Sequence, residues 1–146
     1  MFKKILIPVD GSPHSKRAIT AAVDLVKQLQ ASIYLLHVIR NLSLPAEIME
    51  MIAAGEVTES RMEILQNSAE IILDNAMQKF VQAGLKDVTT DYMLGDPASK
   101  ILEYAQANGI DLIVLGQRGL GPNSGMLGGV SGKLLNMTTI SCLVVA

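Results

Sequence analysis

Tryptophan is absent from the 146-residue chain, and aromatic residues make up only 3% of it. So few flat side chains cannot build a platform on which single-stranded bases stack. Cysteine occurs once, at Cys142. No internal disulfide can form, which suits a reducing compartment; within Cys142-Leu143-Val144-Val145 the residue reads as a small buried hydrophobe. An excess of positive charge is lacking as well: 12 Lys and Arg stand against 14 Asp and Glu, with no long basic run. A sequence-blind grip on nucleic-acid phosphates needs such clustering. No apolar stretch is long enough to span a bilayer. The run after Lys3-Lys4 stops at Asp10-Gly11-Ser12, and no signal cleavage pattern follows it. These absences point to a soluble cytoplasmic protein with no membrane and no nucleic-acid partner.

Apolar residues are plentiful, at 49%, enough for one domain over residues 1–146 with a sizeable core. Ile5 to Val9 is a continuous apolar run, as in a strand covered on both faces. Pro8 within it cannot donate to a ladder, so it is expected to frame a loop at the strand's end. Ser12-Pro13 opens a helix, with Ser as N-cap and Pro at the first position. Ala18, Ala22, Leu25, Val26 and Leu29 form its apolar face. Ile33 to Ile39 is a second strand. From Arg40 to about Gly55, with Pro45 and several methionines, the chain reads as flexible or partly helical; methionines from Met49 to Met62 are expected to pack or cover. A long helix then buries Leu65, Ala69, Ile72, Leu73, Ala76 and Phe80 and ends at Gly84. Val88 to Leu94 is a third strand. Asp96-Pro97 caps a helix that buries Ile101, Leu102 and Ala105 and ends near Asn108-Gly109. Asp111 to Gly116 is a fourth strand. A short helix from about Gly129 to Asn136 precedes a last strand, Ser141 to Ala146. Alternating strands and helices imply right-handed crossovers, hence an α/β fold with an open parallel sheet and helices on both faces.

In such sheets ligands bind beyond the C-terminal strand ends, where the strand order reverses. Two ends stand out: Pro8-Val9-Asp10-Gly11-Ser12, and Leu115-Gly116-Gln117-Arg118-Gly119. Seven glycines lie between Gly116 and Gly132. Glycine lets backbone N–H groups converge and a ligand approach closely. The segment also feeds a helix N-terminus, where anions are favoured. A phosphate cradle is one reading; a surface loop without a ligand is the other. Two familiar phosphate motifs fail. Gly132-Lys133 is followed by Leu134 and preceded five positions earlier by Leu127, not Gly. Gly119-Leu120-Gly121 leads to Ser124 where a dinucleotide fingerprint needs Gly.

The residues nevertheless match a known pattern. The chain resembles the universal stress proteins along nearly its whole length. Ile5-Leu6-Ile7-Pro8-Val9-Asp10-Gly11-Ser12 with Ser15 and Ala18, Leu36-His37-Val38, Gly95-Asp96-Pro97-Ala98 and Asp111 to Gly116 carry the resemblance. Gly116 and Gly119 supply the first half of the glycine motif of the nucleotide-binding branch. The second half departs: Val130 follows Gly129 where a hydroxyl residue is expected. With one loop residue deleted, Gly128 becomes the motif glycine, Gly129 replaces Ser or Thr, and Val130-Ser131 follow. A hydroxyl donor is missing either way, and Pro122 removes one N–H.

The resemblance implies a Rossmann-like five-stranded sheet in the order 3-2-1-4-5. It also implies a homodimer through the C-terminal strand, whose unpaired edge would otherwise be an association hazard. Its ligand would be an adenine nucleotide, ATP or AMP, with Mg²⁺ as a further candidate. Asp10 would stand near the ribose or the metal ion, its alternative being an Asx turn. Val38 and Ile39 would offer backbone groups to the adenine, and Pro8 and Val9 would wall the ribose. Leu115, Gly116, Arg118, Gly119, Gly128, Gly129, Val130 and Ser131 complete the set, the glycines, Val130 and Ser131 facing phosphate and Arg118 facing phosphate or solvent. His37 reads as a hydrogen-bonded structural residue and His14 as a surface residue in the first helical turn. The function implied is a regulatory, stress-response binding module. Alternatives are a slow ATPase, for which only one candidate carboxylate is found, and a dimeric interaction module without nucleotide. A phospho-receiver domain is excluded, because Ser141 to Ala146 offers no Lys.

Overall fold

A computed structural model describes residues 1–40, 50, 54–55, 59–117 and 129–146. Most of the Arg40–Gly55 segment, the methionines at 49 and 51, and the glycine-rich stretch 118–128 lie outside the described residues. Nine elements follow one another: β1 (Lys4–Pro8), α1 (Pro13–Leu29), β2 (Ser32–Ile39), α2 (Glu59–Gln82), β3 (Val88–Leu94), α3 (Pro97–Ala107), β4 (Leu112–Gly116), α4 (Gly129–Met137) and β5 (Ser141–Val145). The strands pair in the order β3-β2-β1-β4-β5, and every ladder is parallel. The sheet is the α/β arrangement expected from the alternation of elements.

Side chains of successive strand residues point to opposite faces, so a strand apolar throughout feeds two cores. Ile5, Ile7 and Val9 pack with Ile33, Leu35, Leu112 and Val114 under α1 and α2. Leu6 packs with Leu36, Ile113 and Leu115 under α3 and α4. From α1 come Ala18, Ile19, Ala22 and Val26; from α2 come Ala69, Leu73, Ala76 and Phe80. Leu25, Leu29 and Ile72 are partly buried, at the flanks of this core. Cys142 is half-buried at the margin of the second core, and burial pushes its thiol pKa up. A thiol in that state is a poor nucleophile.

Local chemistry sets the helix ends. The Ser12 hydroxyl accepts from the Ser15 N–H at 3.2 Å, and Pro13 follows at the first helical position. Asp96 accepts from the Ser99 N–H at 3.1 Å ahead of Pro97. The same carboxylate meets Lys133 Nζ at 3.1 Å, which joins the start of α3 to α4.

Pro8 resolves the objection that the sequence raises. The Val9 N–H donates to the Leu36 carbonyl at 2.8 Å, toward β2. Alternation then puts the Pro8 nitrogen on the β4 side. There the β1–β4 ladder ends at Leu6↔Ile113, two residues short of Pro8, while the β1–β2 ladder continues to Pro8↔Leu36. A residue without a donor stands where no bond is made, and the sheet parts at its carboxyl end.

The Ser99 N–H, the Ser99 hydroxyl and Lys133 lower the Asp96 pKa, in that order of importance. A carboxylate held ionised in the folded chain stabilises above the ordinary carboxylate range; that contribution is lost as pH falls through the lowered value. Asp96→Asn keeps a capping side chain and removes the charge. Thermal melts are expected to place Asp96→Asn below wild type at neutral pH, and the gap is expected to close as pH falls below about 4.

Candidate functional site

At the parting of β1 and β4 lies a cleft. Pro8, Val9 and Asp10 bound it from the end of β1, Leu36, Val38 and Arg40 from β2, Leu115 and Gly116 from β4. His14 and Ser15 of α1, Pro97 and Ile101 of α3, and Val130 and Ser131 of α4 complete the lining. It occupies the carboxyl-end switch point at which open α/β sheets take ligands.

Backbone geometry holds the Asp10 turn in place. Gly11 has φ +80°, a left-handed conformation that a side chain would strain. The Asp10 Oδ1 accepts from the Ser12 N–H at 2.9 Å and from the Ser12 hydroxyl, forming an Asx turn. The Asp10 N–H donates to the Ser15 hydroxyl at 3.3 Å, and Ser15 is buried. Beneath the turn, the His37 Nδ1–H donates to the Val9 carbonyl at 2.7 Å. His37 is thus a hydrogen-bonded structural residue, and it ties β2 to the floor of the cleft. The Asx turn leaves Asp10 exposed at the cleft wall.

A close approach defines the opposite wall. A Cβ on Gly116 would fall 2.1 Å from the His14 carbonyl oxygen and 3.1 Å from the His14 Cβ. Only glycine lets the first turn of α1 rest on the end of β4. The Ser131 hydroxyl, buried, donates to the Gly116 carbonyl at 3.4 Å. Arg17 Nη2 donates to the Gln117 carbonyl at 3.3 Å, and the Gln117 N–H to the Val145 carbonyl at 2.7 Å. The start of the 116–132 segment is therefore tied to α1, α4 and β5. Two helix N-termini, those of α1 and α4, lie beside this wall, and each favours negative charge.

Among the sequence-predicted residues, Pro8, Val9, Asp10, Val38, Leu115, Gly116, Val130 and Ser131 line the one cleft. Ile39 is buried; its carbonyl accepts from the Gly95 N–H at 2.9 Å, so that group serves the turn after β3. Gly129 opens α4, is exposed, and is not part of the lining. Arg118, Gly119 and Gly128 lie outside the described residues. His14 differs from its surface assignment: it is half-buried and faces the cleft, because α1 packs its first turn onto β4. Sequence reasoning also passed over Ser15, Leu36, Arg40, Pro97 and Ile101 as cleft residues. Arg40 was within reach, since it follows Val38 by two and strand alternation puts such residues on one face. Pro97 and Ile101 reach the cleft only because α3 folds across β2, which periodicity alone does not reveal. Among the described residues no group of three His, Cys, Asp or Glu could hold a metal ion, and no helix is long and apolar enough to cross a membrane.

Comparison with known proteins gives one family. The family model described as "Universal stress protein family" matches residues 1–146. Universal stress protein YxiE of Bacillus subtilis is 37% identical over 149 residues, covering 99% of each chain. A universal stress protein crystallised in complex with cAMP superposes with a TM-score of 0.69 at 23% identity, over 99% of this chain and 97% of that one. A universal stress protein family protein from Arabidopsis thaliana, with AMP bound, gives 0.71 at 19% identity, over 98% and 90%. At these identities the two structures establish a shared fold.

Gly116→Ala drives a methyl group into backbone, which cannot give way as a flexible side chain would. Urea denaturation is expected to register a loss of about 1–3 kcal/mol or more, whether or not any ligand is present.

Proposed function

The chain belongs to the universal stress protein family, and we propose that it binds an adenine nucleotide, AMP or ATP, as a regulatory module in a stress response. One observation carries this reading. Eight residues from four separate segments, those that the family resemblance assigns to a nucleotide, surround a single cleft at the switch between β1 and β4. The adenylates held by the two structural neighbours supply the ligand class.

In this reading the nucleoside rests on Pro8, Val9 and Val38, with the main chain of Val38 toward the adenine edge; Ile39 turns its carbonyl to Gly95 instead. Asp10 accepts from the ribose hydroxyls. The phosphate lies toward Leu115, Gly116, Val130 and Ser131, with Arg118, Gly119, Gly128 and Gly129 from the glycine-rich segment. The Ser131 hydroxyl stands near the place where the motif lacks a donor; its one proton goes to the Gly116 carbonyl at 3.4 Å, a bond it would exchange for phosphate. Among the described residues one carboxylate, Asp10, borders the cleft and would hold a magnesium ion, since Mg²⁺ is commonly held by one or two carboxylates with phosphate oxygens. Such an ion would neutralise phosphate charge. A cytoplasmic home fits a chain with one cysteine.

Calorimetry with AMP and ATP is expected to give saturable binding, and each ligand is expected to raise the melting temperature with concentration. Asp10→Ala is expected to weaken AMP about tenfold or more, the effect of deleting a charged hydrogen-bond partner. No heat and no melting shift at millimolar nucleotide would overturn the proposal in favour of an interaction module. Phosphate release that disappears with Asp10→Ala would favour an ATPase.

A homodimer through β5 is part of the same reading. Among the described residues β5 pairs on one side only, with β4, and Leu143 on it is 40% exposed. Leu143→Glu is expected to convert a dimer to a monomer in light scattering coupled to size-exclusion chromatography; a wild type already monomeric at high micromolar concentration would remove this part.

A further inference from the structure

Of the chain's two histidines, one is accounted for: His37 is engaged through Nδ1 by the Val9 carbonyl. The other, His14, lies half-buried along the cleft in the first turn of α1. Its Cβ stands beside Gly116, the residue from which the glycine-rich segment departs. Among the described residues its ring accepts and donates no hydrogen bond, so both ring nitrogens are open to a ligand. We infer that His14 is a specificity-determining residue whose imidazolium contacts the phosphate of a bound adenylate, making affinity for the phosphorylated ligand depend on pH.

This rests on the adenylate reading of the cleft. The position suits an anion in two ways. The N-terminus of α1 contributes partial positive charge, and imidazole is the side chain whose charge ordinarily changes near neutral pH. A charged N–H donor to phosphate is stronger than a neutral one. The surroundings do not reproduce the effect. Of the charged groups that line the cleft with His14, Asp10 comes from the β1–α1 turn and Arg40 from the end of β2. On α1 itself, Arg17 turns to the Gln117 carbonyl. From α3 and α4 the lining is Pro97, Ile101, Val130 and Ser131, and Lys133 is paired with Asp96. Among these side chains only His14 is an imidazole.

The test uses cAMP, a phosphodiester whose single negative charge stays constant across that range, and adenosine, which carries none. Calorimetry on the wild-type chain is expected to show cAMP binding about three- to tenfold tighter at pH 5.5 than at pH 8, with adenosine affinity flat. In His14→Gln the cAMP slope is expected to vanish while adenosine binding persists. A flat wild-type profile, or an unaltered slope in His14→Gln, overturns the inference and leaves the adenylate reading standing. Absence of both cAMP and adenosine binding at every pH overturns both. Should His14→Gln fail to fold, the wild-type protein still decides: with only two imidazoles to resolve, NMR titration is expected to move the His14 midpoint upward when cAMP is added, and an unmoved midpoint overturns the inference.

Discussion

Between β1 and β4 the sheet comes apart, and the nucleotide site proposed for this protein lies in that opening. The ladder stops at Leu6↔Ile113 because the residue that would next donate toward β4 is Pro8. A proline in a central strand would ordinarily leave an acceptor stranded in the core. Here it stands at the strand's exit, where the loss of one bond becomes a crevice open to solvent. The β2 side stays closed, since the Val9 N–H still reaches Leu36 and His37 still holds the Val9 carbonyl. One side of β1 is thus rigid while the other gapes, and a site needs both.

The helices that border the opening are placed by equally local rules. Ser12 and Asp10 cap and turn the chain into α1, Gly11 supplies the left-handed link, and the first turn then settles on Gly116 with no room for a methyl group between them. Glycine at 116 thus has a reason independent of any ligand. A motif glycine that looks like part of a phosphate cradle is also a packing necessity, and the same contact brings His14 to the cleft. Packing and the proposed ligand contact would make the same demand on one residue, which is why the motif alone could not separate them.

Among the described residues charge is sparing in this cleft: Asp10 and Arg40 line it with His14, and the other described lining residues are apolar or hydroxyl-bearing. Two dense cores, one under α1 and α2 and one under α3 and α4, stabilise the sheet away from the cleft.

Strand and helix type, the parallel sheet and both caps were legible in the chain itself, because each rests on short-range rules; most of the cleft residues were legible only through the resemblance to a family. Apolar runs mean strands covered twice, a 3.6-residue period means one buried helix face, and Ser-Pro or Asp-Pro means a helix start. Tertiary structure alone decided which residues from distant segments share a wall. His14 became a cleft residue, Gly129 and Ile39 stayed out of the lining, and Pro97 and Ile101 came in. Those outcomes depend on the angle at which a helix crosses a sheet and on contacts about a hundred residues apart, such as the one between His14 and Gly116. No periodicity or spacing encodes such a distance; it is set when all the side chains pack at once.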